Sequence, residues 1–85
     1  MSAPNLSLEY DALADAIYVW LGPPGSPSHR TEALDDGRTV DYDDRGRAIG
    51  VEFLGVSAGV DLAAVPDADA IAALLAKLPA IKAVA

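Results

Sequence analysis

Hydrophobic and polar residues alternate with period two over residues 6–10. Leu6, Leu8 and Tyr10 fall on one side, Ser7 and Glu9 on the other, the pattern of a half-buried strand. Asp11 then opens a turn over 11–14. Residues 15–21 are rich in β-branched and aromatic side chains and are apolar on both sides: Ile17, Val19 and Leu21 oppose Ala16, Tyr18 and Trp20. A strand of that kind is usually covered on both faces. Residues 22–28 carry three prolines and two glycines and predict a loop. Residues 30–34 predict a short edge strand, Asp35-Asp36-Gly37 a tight turn, 39–42 another strand and 43–46 a second turn. Residues 47–54 make the last clear strand, with Ile49, Val51 and Phe53 on one face and Glu52 and Leu54 on the other. Gly50 within it signals a bulge or a close approach of backbone.

The period then changes. Ile71, Leu74, Leu75 and Leu78 are spaced i, i+3, i+4, i+7 and predict one apolar helical stripe over about 66–78. Pro66 suits its first turn, Asp67 and Asp69 suit its start, Lys77 suits its end, and Pro79 stops it. The opposite face, Asp69, Ala72, Ala73 and Ala76, is low in charge, which would suit contact with a second helix or simply reflect abundant alanine. Residues 80–85 read as a frayed tail. The expected fold is α+β: a single domain over 1–85, with an antiparallel meander of four to five strands over about 6–55 and one C-terminal helix on one sheet face.

Composition narrows the classes of function. Six Lys and Arg against thirteen Asp and Glu give a net charge of −7 over 85 residues, which disfavours nucleic acid. The apolar content of 52 % excludes intrinsic disorder. With no cysteine there is no disulfide framework, thiolate metal site or thiol nucleophile. No apolar run reaches the roughly 20 residues of a membrane span, and Met1-Ser2-Ala3-Pro4-Asn5 shows no leader pattern. A cytoplasmic protein without cofactor is expected.

Candidate chemistry concentrates on one sheet face. With Ile17, Val19, Leu21, Ile49, Val51 and Phe53 claiming the helix side, Tyr18, Trp20, Glu52 and Leu54 share the other, beside Glu9 and Asp41. A single helix covers one face only. The mixed face must therefore meet solvent, a twin subunit or another protein, or be covered by the 22–28 loop. Asp41, Asp43, Gly46 and Glu52 match positions one, three, six and twelve of a calcium loop. Arg45 occupies a ligand position, however, and strands rather than helices flank the segment, so no metal site is assigned. His29 is the only histidine, beside a loop. Ser26, Ser28 and Ser57 lack the spacing of a nucleophile elbow. Glu9 and Glu52 are an acid–base pair in principle, without a visible cleft. No catalytic residue is assigned.

Three segments carry a family resemblance: Tyr10-Asp11 with Asp15-Ala16-Ile17-Tyr18-Val19, then Leu34-Asp35-Asp36-Gly37, then Val40 through Leu54 with its Asp41-x-Asp43, Gly46 and Ile49-Gly50-Val51-Glu52-Phe53-Leu54. Over residues 8–55 the chain resembles the small prokaryotic family catalogued as domain of unknown function 2283. Ile17 stands where the family pattern has Leu, and Phe53 where it has Ile. The resemblance implies a compact β-rich domain with no assigned activity and no catalytic residues to transfer. It also implies a link to small toxin–antitoxin pairs. The leading expectation is a non-enzymatic interaction module, homodimeric, antitoxin-like toward a basic protein, with Tyr18, Trp20, Glu52 and Leu54 at the interface. The alternative is a small-ligand or metal-binding protein using the same face, with a small hydrolase behind both.

Overall fold

A computed structural model describes residues 6–77 and 83–84. Five strands form one antiparallel sheet: β1 (Ser7–Asp11), β2 (Ala16–Trp20), β3 (Arg30–Asp35), β4 (Arg38–Tyr42) and β5 (Ala48–Leu54). A 3₁₀ turn (Val56–Ala58), a short strand β6 (Val60–Asp61) and a helix α1 (Ala68–Leu75) follow. A last two-residue strand, β7 (Ala83–Val84), pairs parallel to β6. The fold is α+β. Among the described residues no helix is long and apolar enough to cross a membrane.

The strand order β1-β2-β5-β4-β3 corrects the simple meander in one place. Short turns do place β1 beside β2, β3 beside β4 and β4 beside β5. The link between β2 and β3 is the proline-bearing segment, long enough to carry the chain to the far edge of the sheet. Its ends continue the ladders, the Leu21 amide donating to Ile49 O at 2.9 Å and the His29 amide to Tyr42 O at 2.8 Å. The chain then returns through β4, and β5 closes against β2.

Register places Leu8, Val19, Val51 and Val40 in one row across the sheet, and Ile17 beside Phe53. These residues face α1, and Ile17, Val19, Val40, Val51 and Phe53 are buried together with Val56, Val60, Val65, Ile71 and Leu75. Leu74 packs against this core from its edge. The helix is shorter than the predicted 66–78. Asp67 takes a left-handed φ of 55°, so the helical backbone cannot run back through Pro66. The first helical bond is from the Ile71 amide to Asp67 O. Leu78 and Pro79 lie outside the described residues. The frayed tail expected over 80–85 is replaced at Ala83–Val84 by the β7 pairing, because β6 offers free backbone groups to a passing strand.

Side chains from the sequence-predicted turns close those turns. Asp11 Oδ1 accepts from the amides of Leu13 and Ala14, both at 3.1 Å. Asp43 Oδ1 accepts from the amides of Arg45 and Arg47 at 2.9 Å, and its other oxygen meets Arg47 Nε at 3.0 Å. The Arg47 amide, joined by that of Arg45 and by the Arg47 side chain, holds Asp43 below the usual carboxylate range. Arg38 sits at the border of the core, where its guanidinium donates to Asp61 O at 3.0 Å and to Ala63 O at 2.6 Å while pairing with Asp35. It thereby pins the β6 segment to the sheet.

Gly50 is the tightest position. A Cβ built there would fall inside the phenol of Tyr18, which lies across the glycine. The register also shifts between Asp41 and Tyr42 against β5, so close approach and bulge coincide. Gly50→Ala is expected to destabilise the fold by about 1–3 kcal/mol in urea denaturation, as overpacking does. The loss should shrink in a Tyr18→Ala background, where the clashing ring is gone.

Candidate functional site

The outer face of the sheet is built from three cross-strand rows. Glu9, Tyr18, Glu52 and Thr39 form one. Ser7, Trp20, Gly50 and Asp41 form the next, extended by Thr31 at the β3 edge. Asp11, Ala16 and Leu54 form the third. The side-chain period of two in β2 and β5 is the cause: with Ile17, Val19, Val51 and Phe53 inward, the intervening residues must point away from α1. Tyr18, Trp20, Glu52 and Leu54 thus share one face, together with Glu9 and Asp41.

Most of the polar groups on this face are already engaged. The Tyr18 hydroxyl reaches over Gly50 and donates to Asp41 Oδ2 at 2.7 Å. The other oxygen of Asp41 accepts from the Thr31 hydroxyl and, at 3.5 Å, from Ser28. Trp20 Nε1 donates to Glu9 Oε2 at 2.7 Å. The two rings meet edge to face, with centroids 4.7 Å apart and planes at 65°. Glu52 differs. It lies on the central strand, half-buried, opposite Tyr18 on one side and Thr39 on the other, and among the described residues it has no hydrogen-bond or ion-pair partner.

The electrostatics of the face carry one sign. Arg38 belongs to the helix-side row, Arg30 stacks over the Tyr42 ring at 4.2 Å, and Arg45 and Arg47 sit in or beside the β4–β5 turn. No described cation therefore stands among the outer-face rows. Burial of Tyr18, then its hydrogen bond to Asp41, then the charges of Asp41, Glu52 and Glu9 push its phenol far above the ordinary tyrosine value of about 10.

Groups proposed to act together elsewhere are kept apart. Asp43 is folded into its turn, while Asp41 faces Tyr18. Among the described residues no three His, Asp or Glu side chains gather as a cation site. His29 is exposed. Ser26 Oγ donates to Pro23 O at 2.6 Å. Ser57 is held by Asp15, its amide at 2.9 Å and its hydroxyl at 2.7 Å. This last tie has little signal in the sequence. Asp15 takes a φ of 53°, and its only sequence signal is its place in the family-like Asp-Ala step.

Residues 7–57 match the model of a family described as "Protein of unknown function (DUF2283)". The match spans the five-stranded sheet and ends at Ser57, the partner of Asp15, leaving α1 outside. No curated protein and no solved structure matches the chain.

The Tyr18 contact carries a pH signature. Because the folded state holds the phenol proton more tightly than the unfolded chain, this contribution to stability is complete below about pH 10 and is lost as pH rises beyond it. Denaturation midpoints measured upward from pH 9 should fall, and Tyr18→Phe should flatten that decline. In an absorbance titration the same variant should remove the latest phenolate step.

Proposed function

The chain belongs to the DUF2283 family, and for this member we propose a non-enzymatic interaction module that docks a basic partner protein on the outer face of its sheet. The observation that supports this reading is the composition of that face. Tyr18, Trp20 and Leu54 supply apolar area, Glu9, Asp41 and Glu52 supply negative charge, and no described cation balances them. Aromatic anchors inside a polar rim are the usual anatomy of a protein contact. A net charge of −7 favours encounter with a positive surface.

The same charges weigh against a second copy in this position. Stacking two outer faces would set Glu9, Asp41 and Glu52 against their own duplicates, and like-charge juxtaposition costs several kcal/mol. A basic partner removes that cost and gives Glu52 the counter-charge it lacks within the described structure. A small basic toxin is a partner of this chemistry, and an antitoxin-like role follows from it.

Trp20 is the only tryptophan, so its emission reports on this face. Titration of the full chain with capped arginine-containing peptides should shift that emission saturably and more weakly as salt is raised. Glutamate-containing counterparts should leave it unchanged. Trp20→Ala, followed by calorimetry, should weaken binding by roughly thirtyfold, as loss of an aromatic anchor does, with the cooperative unfolding transition retained. Arginine peptides that bind without moving Trp20 emission would overturn the reading. So would sedimentation showing a dimer that Trp20→Ala dissolves.

A further inference from the structure

Among the described residues, Tyr10, Leu13 and Leu54 are the large hydrophobic residues left exposed, at 49 %, 101 % and 47 %. All three line one groove of about 550 Å³ at the β1–β2 hairpin end of the sheet. Ala16, Tyr18, Glu52 and Leu54 line it from the outer face, and Tyr10 and Ile17 of the helix-side row border it. Residues 11–14 of the hairpin turn line it as well, Leu13 among them. Glu9 and Asp11 add carboxylates to the lining. Trp20 is absent from it, braced behind Tyr18. The groove therefore sets an aliphatic surface directly beside the one outer-face carboxylate that lacks a partner among the described residues.

We infer that this groove receives an extended segment of the basic partner in which an aliphatic residue and an arginine stand two positions apart. The inference rests on the reading of the outer face as a docking surface and names what docks there. Spacing supplies the first reason. Glu52 and Leu54 are two residues apart on one strand face, about 7 Å. An extended segment repeats its own side chains at the same interval, so an aliphatic residue against Leu54 and Leu13 brings the second side chain over Glu52. Charge supplies the second. Glu9, Asp11 and Glu52 all carry the sign that attracts a cation, which disfavours a second copy of this acidic chain. Shape selects arginine over lysine. A planar guanidinium bonds a carboxylate with two parallel N–H groups while lying against an aromatic ring, and Glu52 stands directly opposite Tyr18. That ring is held by Asp41, Gly50 and Trp20 before anything binds, so little ordering is left for the complex to supply.

The test uses the full chain, ¹⁵N-labelled, and three capped peptides of equal length. One carries leucine and arginine two positions apart, one has serine in place of the leucine, and one has glutamine in place of the arginine. The first should shift the amides of Leu13, Ala16, Tyr18, Glu52 and Leu54, and each of the others should bind roughly tenfold more weakly. Glu52→Gln should weaken the leucine–arginine peptide by a similar factor and leave the glutamine peptide unaffected. Leu13→Ser alters a fully exposed side chain and leaves the core intact. It should weaken the leucine–arginine peptide by roughly fivefold and spare the serine peptide. If the serine peptide binds the outer face as well as the first, the aliphatic half of the inference fails while the basic-partner reading survives. If no peptide shifts outer-face amides, both fail. If those amides move with protein concentration alone, a second copy occupies the groove and the inference is overturned.

Discussion

One helix cannot cover two faces of a five-stranded sheet, and the rest of this structure follows from that constraint. An eight-residue helix is about 12 Å long and about 10 Å across, whereas strands spaced about 4.8 Å apart give five of them a breadth of roughly 19 Å. Even the inner face needs help beyond α1: Val56, Val60 and Val65 from the connecting segment complete the core. Arg38 fastens that segment through carbonyls of Asp61 and Ala63. The proline-bearing segment reaches the edge of the outer face through Ser28, whose hydroxyl meets Asp41; the remainder of the face is made tolerable by its own side chains.

It is made so by internal polar contacts. Tyr18 could lean across the sheet only because position 50 has no side chain, and in doing so it finds Asp41. Trp20 then packs its ring edge to face with Tyr18 and gives its indole proton to Glu9. Each aromatic residue thereby buries part of its ring and satisfies its polar atom, which is the condition for placing Tyr or Trp on a half-wet surface. The Tyr18–Gly50–Asp41 contact spans β2, β5 and β4, so it also clamps the central strands in register. The face is thus held by contacts among its own polar groups.

How much of this was legible in the sequence follows the range of each interaction. Strand parity is local, so the split of residues 16–20 and 48–54 into two faces could be read directly, and with it the company kept by Tyr18, Trp20, Glu52 and Leu54. The acidic turns at Asp11, Asp35 and Asp43 are local too. Gly50 announced a close approach without saying to what. The strand order was hidden because a loop of three prolines permits a long crossing as readily as a short return. The Asp15–Ser57 tie joins residues far apart in sequence, and neither residue type demands such a partner. The helix start differs from the pattern because Pro66 fits a first turn by its own stereochemistry, whereas Asp67 takes a left-handed φ of 55°.

Glu52 is where these levels meet. Tyr18 claims Asp41, Trp20 claims Glu9, and the turns claim Asp11, Asp35 and Asp43. These acids have an assignment within the fold, and their types are explained by it. Glu52 is half-buried on the central strand, in a position where threonine or valine would serve the sheet better by propensity. It also raises the local negative potential enough to contribute to the Tyr18 shift. On the proposed reading, a carboxylate that bonds nothing in the described chain finds its counter-charge in a partner. Partial desolvation beside Tyr18 makes it a stronger acceptor for an arriving guanidinium than a freely hydrated surface acid would be. On that reading, a position unfavourable for folding serves recognition.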